Sequence, residues 1–246
     1  DGGIYGAVER VNDHVLKPAP HQPRQRYWRI MAKRAILAAG SLERPLVFGD
    51  NDRPGVMMAG AVRTYLNRFA VAPGERVVVF ANNDEAARTI ADVTRGGAIV
   101  EAVVDPRPQS SDVVKQAADN VGAKLMQGVV TRAHGGRHVQ GVDIETSSGT
   151  KRLDCDLVAM SGGWSPTVHL TSHLGAKPKW SDAIAAFVPG ETPPGMAVAG
   201  AANGTFDTGQ CLANGAAVGL DAASALGYRR AQIEVPLAVK LSQHIT

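Results

Sequence analysis

The fold of this chain is decided by RVVVFANNDEAARTIADVTRGGAIVEAVVD, residues 76–105. The apolar run RVVVF predicts a buried strand, and the stretch from Asp84 to Arg95 predicts a helix that stops at two glycines. A second apolar run then ends at Asp105. Strand, helix and strand in this order form a β-α-β unit, so the sequence predicts an α/β fold with a parallel, Rossmann-type sheet.

The turn between the first strand and the helix departs from the pattern that binds a dinucleotide. That pattern is GxGxxG, and its glycine positions here carry Ala81, Asn83 and Ala86. The middle glycine lets the pyrophosphate touch the backbone, but Asn83 puts a side chain there and Asp84 adds a negative charge. Asp105 nevertheless stands roughly where a ribose-binding acid belongs. We therefore expect a nucleotide-binding architecture with a disabled phosphate site.

Further from this unit, three apolar runs end in small residues: Ile36–Gly40, Leu157–Gly163 and Ala197–Gly204. Small residues at the carboxyl ends of strands let a nucleotide approach the backbone. A helix predicted over about 210–226 follows the third run, and its amino end would add unpaired N–H groups and a positive dipole. The three turns together indicate a nucleotide-binding protein.

The remaining elements are predicted from periodicity and turn residues. Residues 4–10 and 26–32 read as strands around a proline-rich loop, and 56–69 reads as a helix because its apolar positions recur at helical spacing. A helix is also predicted through 113–119. Residues 175–195 contain four prolines and are predicted to be a loop.

Composition excludes several classes of protein. The 26 basic and 23 acidic residues give a net charge of +3, and the basic residues between positions 24 and 34 alternate along a predicted strand, so nucleic-acid binding is not expected. No apolar run has the length of a membrane span, so no membrane association is expected. The two cysteines, Cys155 and Cys211, form no CxxC motif and suit a reducing compartment, which predicts a cytoplasmic protein without a dithiol centre.

Two pairs of polar residues are candidates for a chemical site. His169 and His173 have the spacing of a metal pair on a helix, but no third ligand accompanies them. Ser161 and Ser165 lie in SGGWS rather than in the GxSxG turn of serine hydrolases. The sequence therefore predicts no metal site and no catalytic residue of its own.

Three stretches give the chain a resemblance to a known family. They are ILAAGSLERPLVFGDNDRPGVMMAGAVRTYLNRFAVAPGERVVVFANNDEA (36–86), SGGWSPTVHL (161–170) and AGAANGTFDTGQCLANGAAVG (199–219). They resemble the α subunit of heterotetrameric sarcosine oxidase, and the resemblance runs over nearly the whole chain. It implies a two-dinucleotide-binding-domain fold, like that of the pyridine nucleotide-disulfide oxidoreductases.

The resemblance also implies a domain organisation. Residues 1–50 and 161–246 would form a split nucleotide-binding domain, and 51–160 would form an inserted α/β domain with a degenerate nucleotide motif. The family's first strand with its GxGxxG turn is missing, as is its folate-binding domain. The resemblance therefore describes an internal part of an α subunit whose nucleotide-binding domain is N-terminally incomplete.

The cofactors and partners that the resemblance implies are those of a complex. NAD would bind in the α subunit, lined here by Ala39-Gly40 and Gly200-Ala201-Ala202, with Phe206 and Thr208 on the nicotinamide side. FAD, FMN and tetrahydrofolate are expected only in the full complex with a flavin-bearing β subunit and smaller subunits. That complex demethylates sarcosine to glycine with formation of hydrogen peroxide, and it passes the one-carbon unit to tetrahydrofolate.

Alone, this chain is expected to bind NAD weakly or not at all and to lack oxidase activity. Two alternatives stay open. One is a subunit of an opine or amino-acid dehydrogenase of similar build. The other is a non-catalytic scaffold domain that docks a flavin-bearing subunit. The degenerate nucleotide turn favours this alternative.

Overall fold

The chain passes twice between two compact parts. A computed structural model describes residues 3–173, 175–229 and 234–236. The part called unit 1 takes the residues up to Leu42 and those from Ser165 onward, and unit 2 takes Glu43–Trp164. In sequence, unit 2 is therefore an insertion in unit 1.

The elements are numbered in chain order. The strands are β1 (Ile4–Arg10), β2 (Gln25–Met31), β3 (Ala35–Leu37), β4 (Ser41–Glu43), β5 (Val56–Met58), β6 (Arg76–Ala81), β7 (Ile99–Asp105), β8 (Lys124–Gln127), β9 (Val129–His134), β10 (Gly141–Thr146), β11 (Gly149–Asp154), β12 (Leu157–Ser161), β13 (Trp164–Pro166), β14 (Lys179–Ser181), β15 (Ala186–Val188) and β16 (Met196–Val198). The α-helices are α1 (Ala59–Phe69), α2 (Glu85–Arg95), α3 (Asp112–Val121), α4 (His169–Ser172) and α5 (Thr208–Ala225), with a 3₁₀ helix at Gly200–Asn203.

Unit 2 is built around a five-stranded parallel sheet in the order β5-β12-β6-β7-β8. The predicted β-α-β unit is confirmed as β6, α2 and β7, which pair in parallel. The chain continues outward from β7 to β8, whereas β12 pairs with the opposite side of β6. The strand order thus reverses at β6, which makes its carboxyl end the topological switch point at which open α/β sheets bind nucleotides.

Both faces of this sheet are covered, which explains why its strands are apolar at successive positions. On β6, Val77 and Val79 pack against α1, α2 and α3 in one buried cluster. Val78 and Phe80 point to the other face, in a second cluster with residues of the antiparallel sheet β11-β10-β9. All four side chains are buried. Unit 2 is therefore a three-layer domain with two apolar cores.

Unit 1 is assembled from small sheets. The strands β1 and β2 form an antiparallel hairpin, β14 pairs with β15, and β3 pairs in parallel with β16. An apolar cluster of Leu37, Val198 and Ala202 connects β3, β16 and the 3₁₀ helix. None of the side chains of α5 is buried. Among the described residues, no helix has the length and apolarity needed to cross a bilayer.

Three predictions about elements are corrected by the structure. Residues 56–58 form β5 rather than the start of a helix, because they pair with β12 at the sheet edge. Residues 175–195 contain the hairpin β14–β15, since the prolines flank its strands instead of interrupting them. The predicted helix over 210–226 begins two residues earlier, because the Asp207 side chain accepts a hydrogen bond from the Gln210 backbone N–H and caps it.

Candidate nucleotide sites

In unit 1, two glycine turns lie at the same edge of the β3–β16 sheet. The strands run parallel in the register Leu37 opposite Val198, and the Ala199 N–H donates to the Leu37 carbonyl at 2.9 Å. Gly40 and Gly200 follow these strand ends with φ of +73° and +67°, a left-handed conformation that favours glycine. No atom lies within 4 Å of a Cβ built at Gly40, so this turn is open to a ligand.

The turn at Gly200 is held by the first half of α5. The Gly200 N–H donates to Oδ1 of Asn214 at 2.8 Å, and the Cys211 thiol donates to the Thr205 carbonyl at 2.9 Å. A helix that begins beside a strand-end turn brings its positive dipole end to that turn. The arrangement is the one that nucleotide-binding α/β folds use for phosphate, although Asp207 already occupies one of the first N–H groups of the helix.

The predicted cofactor residues take different positions around this edge. Ala39 is exposed and Ala201 is half-buried. Ala202 is completely buried in the cluster with Leu37 and Val198, so its side chain packs in the core and only its backbone can face a ligand. Two further residues lie on the segment that leads into α5, namely Phe206, which is partly exposed, and Thr208, the first residue of the helix.

A cavity of about 300 Å³ lies at the opposite end of the same two strands. Its walls come from Ala35 and Met196, which begin β3 and β16, and from the second half of α5. Nucleotides bind outside the carboxyl ends of parallel strands, so this cavity is at the wrong edge of the sheet for that purpose.

In unit 2, the switch point at the end of β6 is filled by Asn83. Its carboxamide oxygen accepts a hydrogen bond from the N–H of Glu85, the first residue of α2, at 3.1 Å. Its Nδ2 donates to the Ser161 carbonyl at 3.1 Å and lies 3.2 Å from the Ser161 hydroxyl, at the end of β12. The sequence predicted a side chain in the phosphate position, and the structure shows which groups it binds.

Asp105, the predicted ribose acid, is bound by neighbours within unit 2. Its carboxylate is 1% exposed and accepts hydrogen bonds from Arg107 Nη2 and from the Ser110 hydroxyl, both at 2.8 Å. Burial alone raises the pKa of Asp105, but the hydrogen bonds from Arg107 and Ser110 outweigh that effect and lower it. The same ion pair raises the pKa of Arg107.

Arg107 also reaches across to the turn after β6. Its Nη1 donates to Asp84 Oδ1 at 2.8 Å, and the Ser111 hydroxyl donates to the same oxygen at 2.8 Å. Sequence reasoning missed Arg107, although it stands two residues after the predicted acid, between Pro106 and Pro108. This position beside the predicted acid is the feature of the sequence that could have indicated its role.

The paired histidines lie at the two ends of one short helix. His169 begins α4 and His173 follows its end. Within the described residues, no group of three or more His, Cys, Asp or Glu side chains is arranged to hold a metal ion. Cys155 and Cys211 are both free thiols, the first buried and the second half-buried.

Comparison with solved structures defines the class. The chain is similar to an L-proline dehydrogenase from P. horikoshii (TM-score 0.58, 21% identity, 83% of this chain and 37% of that chain). It is also similar to a T. acidophilum thioredoxin reductase (TM-score 0.58, 19% identity, 80% of this chain and 66% of that chain). The class is thus a Rossmann-type α/β fold, as predicted, which the chain shares with these two oxidoreductases.

Curated sequences then show a closer similarity. The chain is 44% identical over 217 residues to the sarcosine oxidase subunit alpha of Rhizobium meliloti (strain 1021), covering 88% of this chain and 22% of the relative. The subunit alpha of Corynebacterium sp. (strain P-1) is 38% identical over 250 residues, covering 97% of this chain and 26% of the relative. No family model matches. Over 88% and 97% of its own length the chain is similar to these sarcosine oxidase α subunits, and it spans about a quarter of their length.

Proposed function

We propose that this chain is the part of a sarcosine oxidase α subunit that contributes one side of its NAD site. The proposal rests on one observation, the two left-handed glycine turns at the carboxyl edge of β3 and β16. Residues 1–50 and 161–246 act as the split nucleotide-binding domain, and 51–160 as the insert. The cofactor residues are Ala39, Gly40, Gly200 to Ala202, Phe206 and Thr208, as expected from the sequence.

The chemistry belongs to the assembled complex in this proposal. The relatives are named as α subunits, which implies assemblies of several subunits. We infer that this chain joins a flavin-bearing subunit in a cytoplasmic complex that oxidatively demethylates sarcosine. We expect no oxidase activity from the isolated chain, because FAD and the sarcosine site belong to the partner subunit in this proposal.

Binding of NAD to the isolated chain is expected to be weak, with a dissociation constant in the millimolar range. At a ligand concentration equal to that constant, the stabilisation is only about 0.4 kcal/mol, which moves the melting temperature by about one degree. Amide chemical shifts are therefore the better measurement, because they report on each turn separately. We expect saturable shifts confined to 38–41 and 199–209.

A matched pair of variants tests the assignment. Gly40→Ser and Gly122→Ser replace glycines with φ of +73° and +68°, both with open space around the new side chain. The backbone strain is alike, but only Gly40 lies at the proposed site. Gly40→Ser should abolish the NAD-dependent shifts and Gly122→Ser should keep them. Equal responses of the two variants, or no shifts at 38–41 and 199–209 in the unaltered chain, would refute the NAD assignment.

The partner assignment is tested by co-expression. The chain should co-purify with the flavin-bearing subunit of a sarcosine oxidase and carry that subunit's yellow absorbance, while the chain alone is colourless. If the chain co-purifies but the NAD shifts are missing, the scaffold alternative replaces the proposed function. The observation that favours that alternative is that Asn83 and Arg107 of this chain occupy the carboxyl ends of β6 and β7 in unit 2.

A further inference from the structure

The crevice of unit 2 has the architecture of a complete dinucleotide site, and its own side chains occupy it. A dinucleotide needs three things there: close backbone approach at the turn, free N–H groups at the start of the helix, and a carboxylate for the ribose. Each of the three can be followed to a specific atom of this chain.

The N–H groups at the start of α2 are already bonded. Glu85 N donates to Asn83 Oδ1 at 3.1 Å, Ala86 N to the Asn83 carbonyl at 3.4 Å, and Ala87 N to the Asp84 carbonyl at 3.1 Å. A phosphate would have to displace these acceptors. The Asn83 side chain is further held by Ser161 at the end of β12, so displacement breaks contacts with both α2 and β12.

The carboxylate at the end of β7 is likewise taken. Arg107 donates to both oxygens of Asp105, through Nε at 3.0 and 3.1 Å and through Nη2 at 2.8 Å. Its remaining Nη1 donates to Asp84 at the turn after β6. The guanidinium thus bridges the acid and the turn, which is the place where the adenosine ribose lies in a binding-competent fold.

We propose that Arg107 and Asn83 are internal ligands of this crevice, and that unit 2 takes no nucleotide because they fill the ribose and phosphate positions. Removal of Arg107 would leave the buried Asp105 carboxylate without a compensating charge. The inference is independent of the NAD site proposed for unit 1, since it concerns different strands and different residues.

The first test uses NAD and amide chemical shifts. In the unaltered chain, millimolar NAD should produce no saturable shifts at 81–86 or 105–111. An opened variant, Asn83→Gly/Asp84→Ala/Arg107→Ala, should show saturable shifts in both segments. Saturable shifts there in the unaltered chain overturn the proposal, and so does an opened variant that retains the native amide spectrum but does not respond. Shifts at the unit 1 turns are scored separately.

The second test keeps the proposal falsifiable if the opened variant does not fold. Arg107→Ala should lower the melting temperature at pH 7 by several degrees, because Asp105 is left buried and unpaired. Arg88→Ala, which removes an exposed arginine from the same helix turn as Glu85, should change it by less than about one degree. Equal melting temperatures of Arg107→Ala and the unaltered chain overturn the proposal.

The pH dependence separates an internal ligand from mere packing. Without Arg107, burial dominates and the pKa of Asp105 rises above its unfolded value, so the carboxyl group prefers to be protonated in the folded chain. The loss in melting temperature should then shrink as the pH falls from 7 to about 4. A loss that is constant over this range would assign Arg107 a packing role and contradict the proposal.

Discussion

The two units differ in two properties: the size of the apolar core, and whether the carboxyl edge of the parallel strands is open to a ligand. Unit 2 has a parallel sheet covered on both faces, yet its nucleotide crevice is filled by its own side chains. In unit 1, the open glycine turns rest on an apolar cluster of three residues and on a helix without a buried side chain. We therefore expect fold stability and the proposed nucleotide binding to depend on different residues, so that a substitution can change one without the other.

Thiol chemistry should show the largest contrast, because each unit carries one cysteine. Burial, with the nearby Asp156, raises the pKa of Cys155 to about 12, and its side chain is 3% exposed. Cys211 is half-buried near the start of α5. In a timed reaction with an aromatic disulfide at pH 8, Cys155 should react at about a thousandth of the rate of Cys211 or slower. Similar rates would show that unit 2 opens as readily as unit 1.

The next contrast is a matched pair of core truncations. Leu157→Ala in unit 2 removes a side chain that is 1% exposed within a large cluster, and should cost about 2–5 kcal/mol. Leu37→Ala in unit 1 should cost less, roughly 1–2 kcal/mol, because its cluster contains only two other residues. Native-state hydrogen exchange gives both values. If Leu37→Ala lowers the exchange protection of amides in β6 and β7, the cores of the two units are not independent.

An acidic group gives unit 2 a pH-dependent contribution. Burial raises the pKa of Asp92, but hydrogen bonds from Arg63 and Asn67 and the charge of Arg95 outweigh burial, so the pKa is lowered. The folded pKa lies below the unfolded value of about 3.9, so this stabilisation is present above that pH and is lost as pH falls through the folded pKa.

Asp92→Asn should therefore destabilise unit 2 by about 1–3 kcal/mol at pH 7 and by less at pH 3, which is below the unfolded pKa. Urea unfolding at the two pH values measures the difference. Asp112→Asn is the control, because Asp112 is fully exposed and its ion pair with Lys115 is worth little. A cost that is the same at both pH values would assign Asp92 a role other than that of a charged partner.

The smallest contrast comes from glycines in helices. Gly215 lies inside α5 with open space around a built Cβ, so Gly215→Ala should stabilise unit 1 by about 0.5–1 kcal/mol. Gly122 ends α3 with φ of +68°, and Gly122→Ala should destabilise unit 2 by about 1 kcal/mol. Thermal unfolding should therefore show a higher melting temperature for Gly215→Ala and a lower one for Gly122→Ala. A destabilising Gly215→Ala would contradict the exposed position of α5.

Local patterns predicted most of unit 2. The unbroken apolar run of β6 and the amphipathic pattern of α2 are local features of the sequence, and so is the side chain that Asn83 places in the phosphate position. The start of the helix after Gly55 was predicted wrongly, because the strand β5 exists only through pairing with β12 a hundred positions further along. Local periodicity carries no information about such a partner.

The candidate sites show the same division. The glycine turns of unit 1 were found because small residues after an apolar run form a local signal, and the structure brings the two strand ends to one edge. The bridge from Arg107 to Asp84 and Asp105 was missed, because it joins two turns that only the sheet brings together. Which of the turn residues bind NAD stays a prediction.

The insertion of unit 2 also has a consequence for the order of folding. Its ends are tied together, since the Arg44 N–H donates to the Gly163 carbonyl at 2.8 Å and the Gly162 N–H donates to the Arg44 carbonyl at 2.7 Å. Once unit 2 has folded, the loop that must close before β3 meets β16 is about fourfold shorter, which lowers the entropic cost by about 1.2 kcal/mol. We therefore expect the strands that carry these glycine turns to pair more readily once unit 2 has folded.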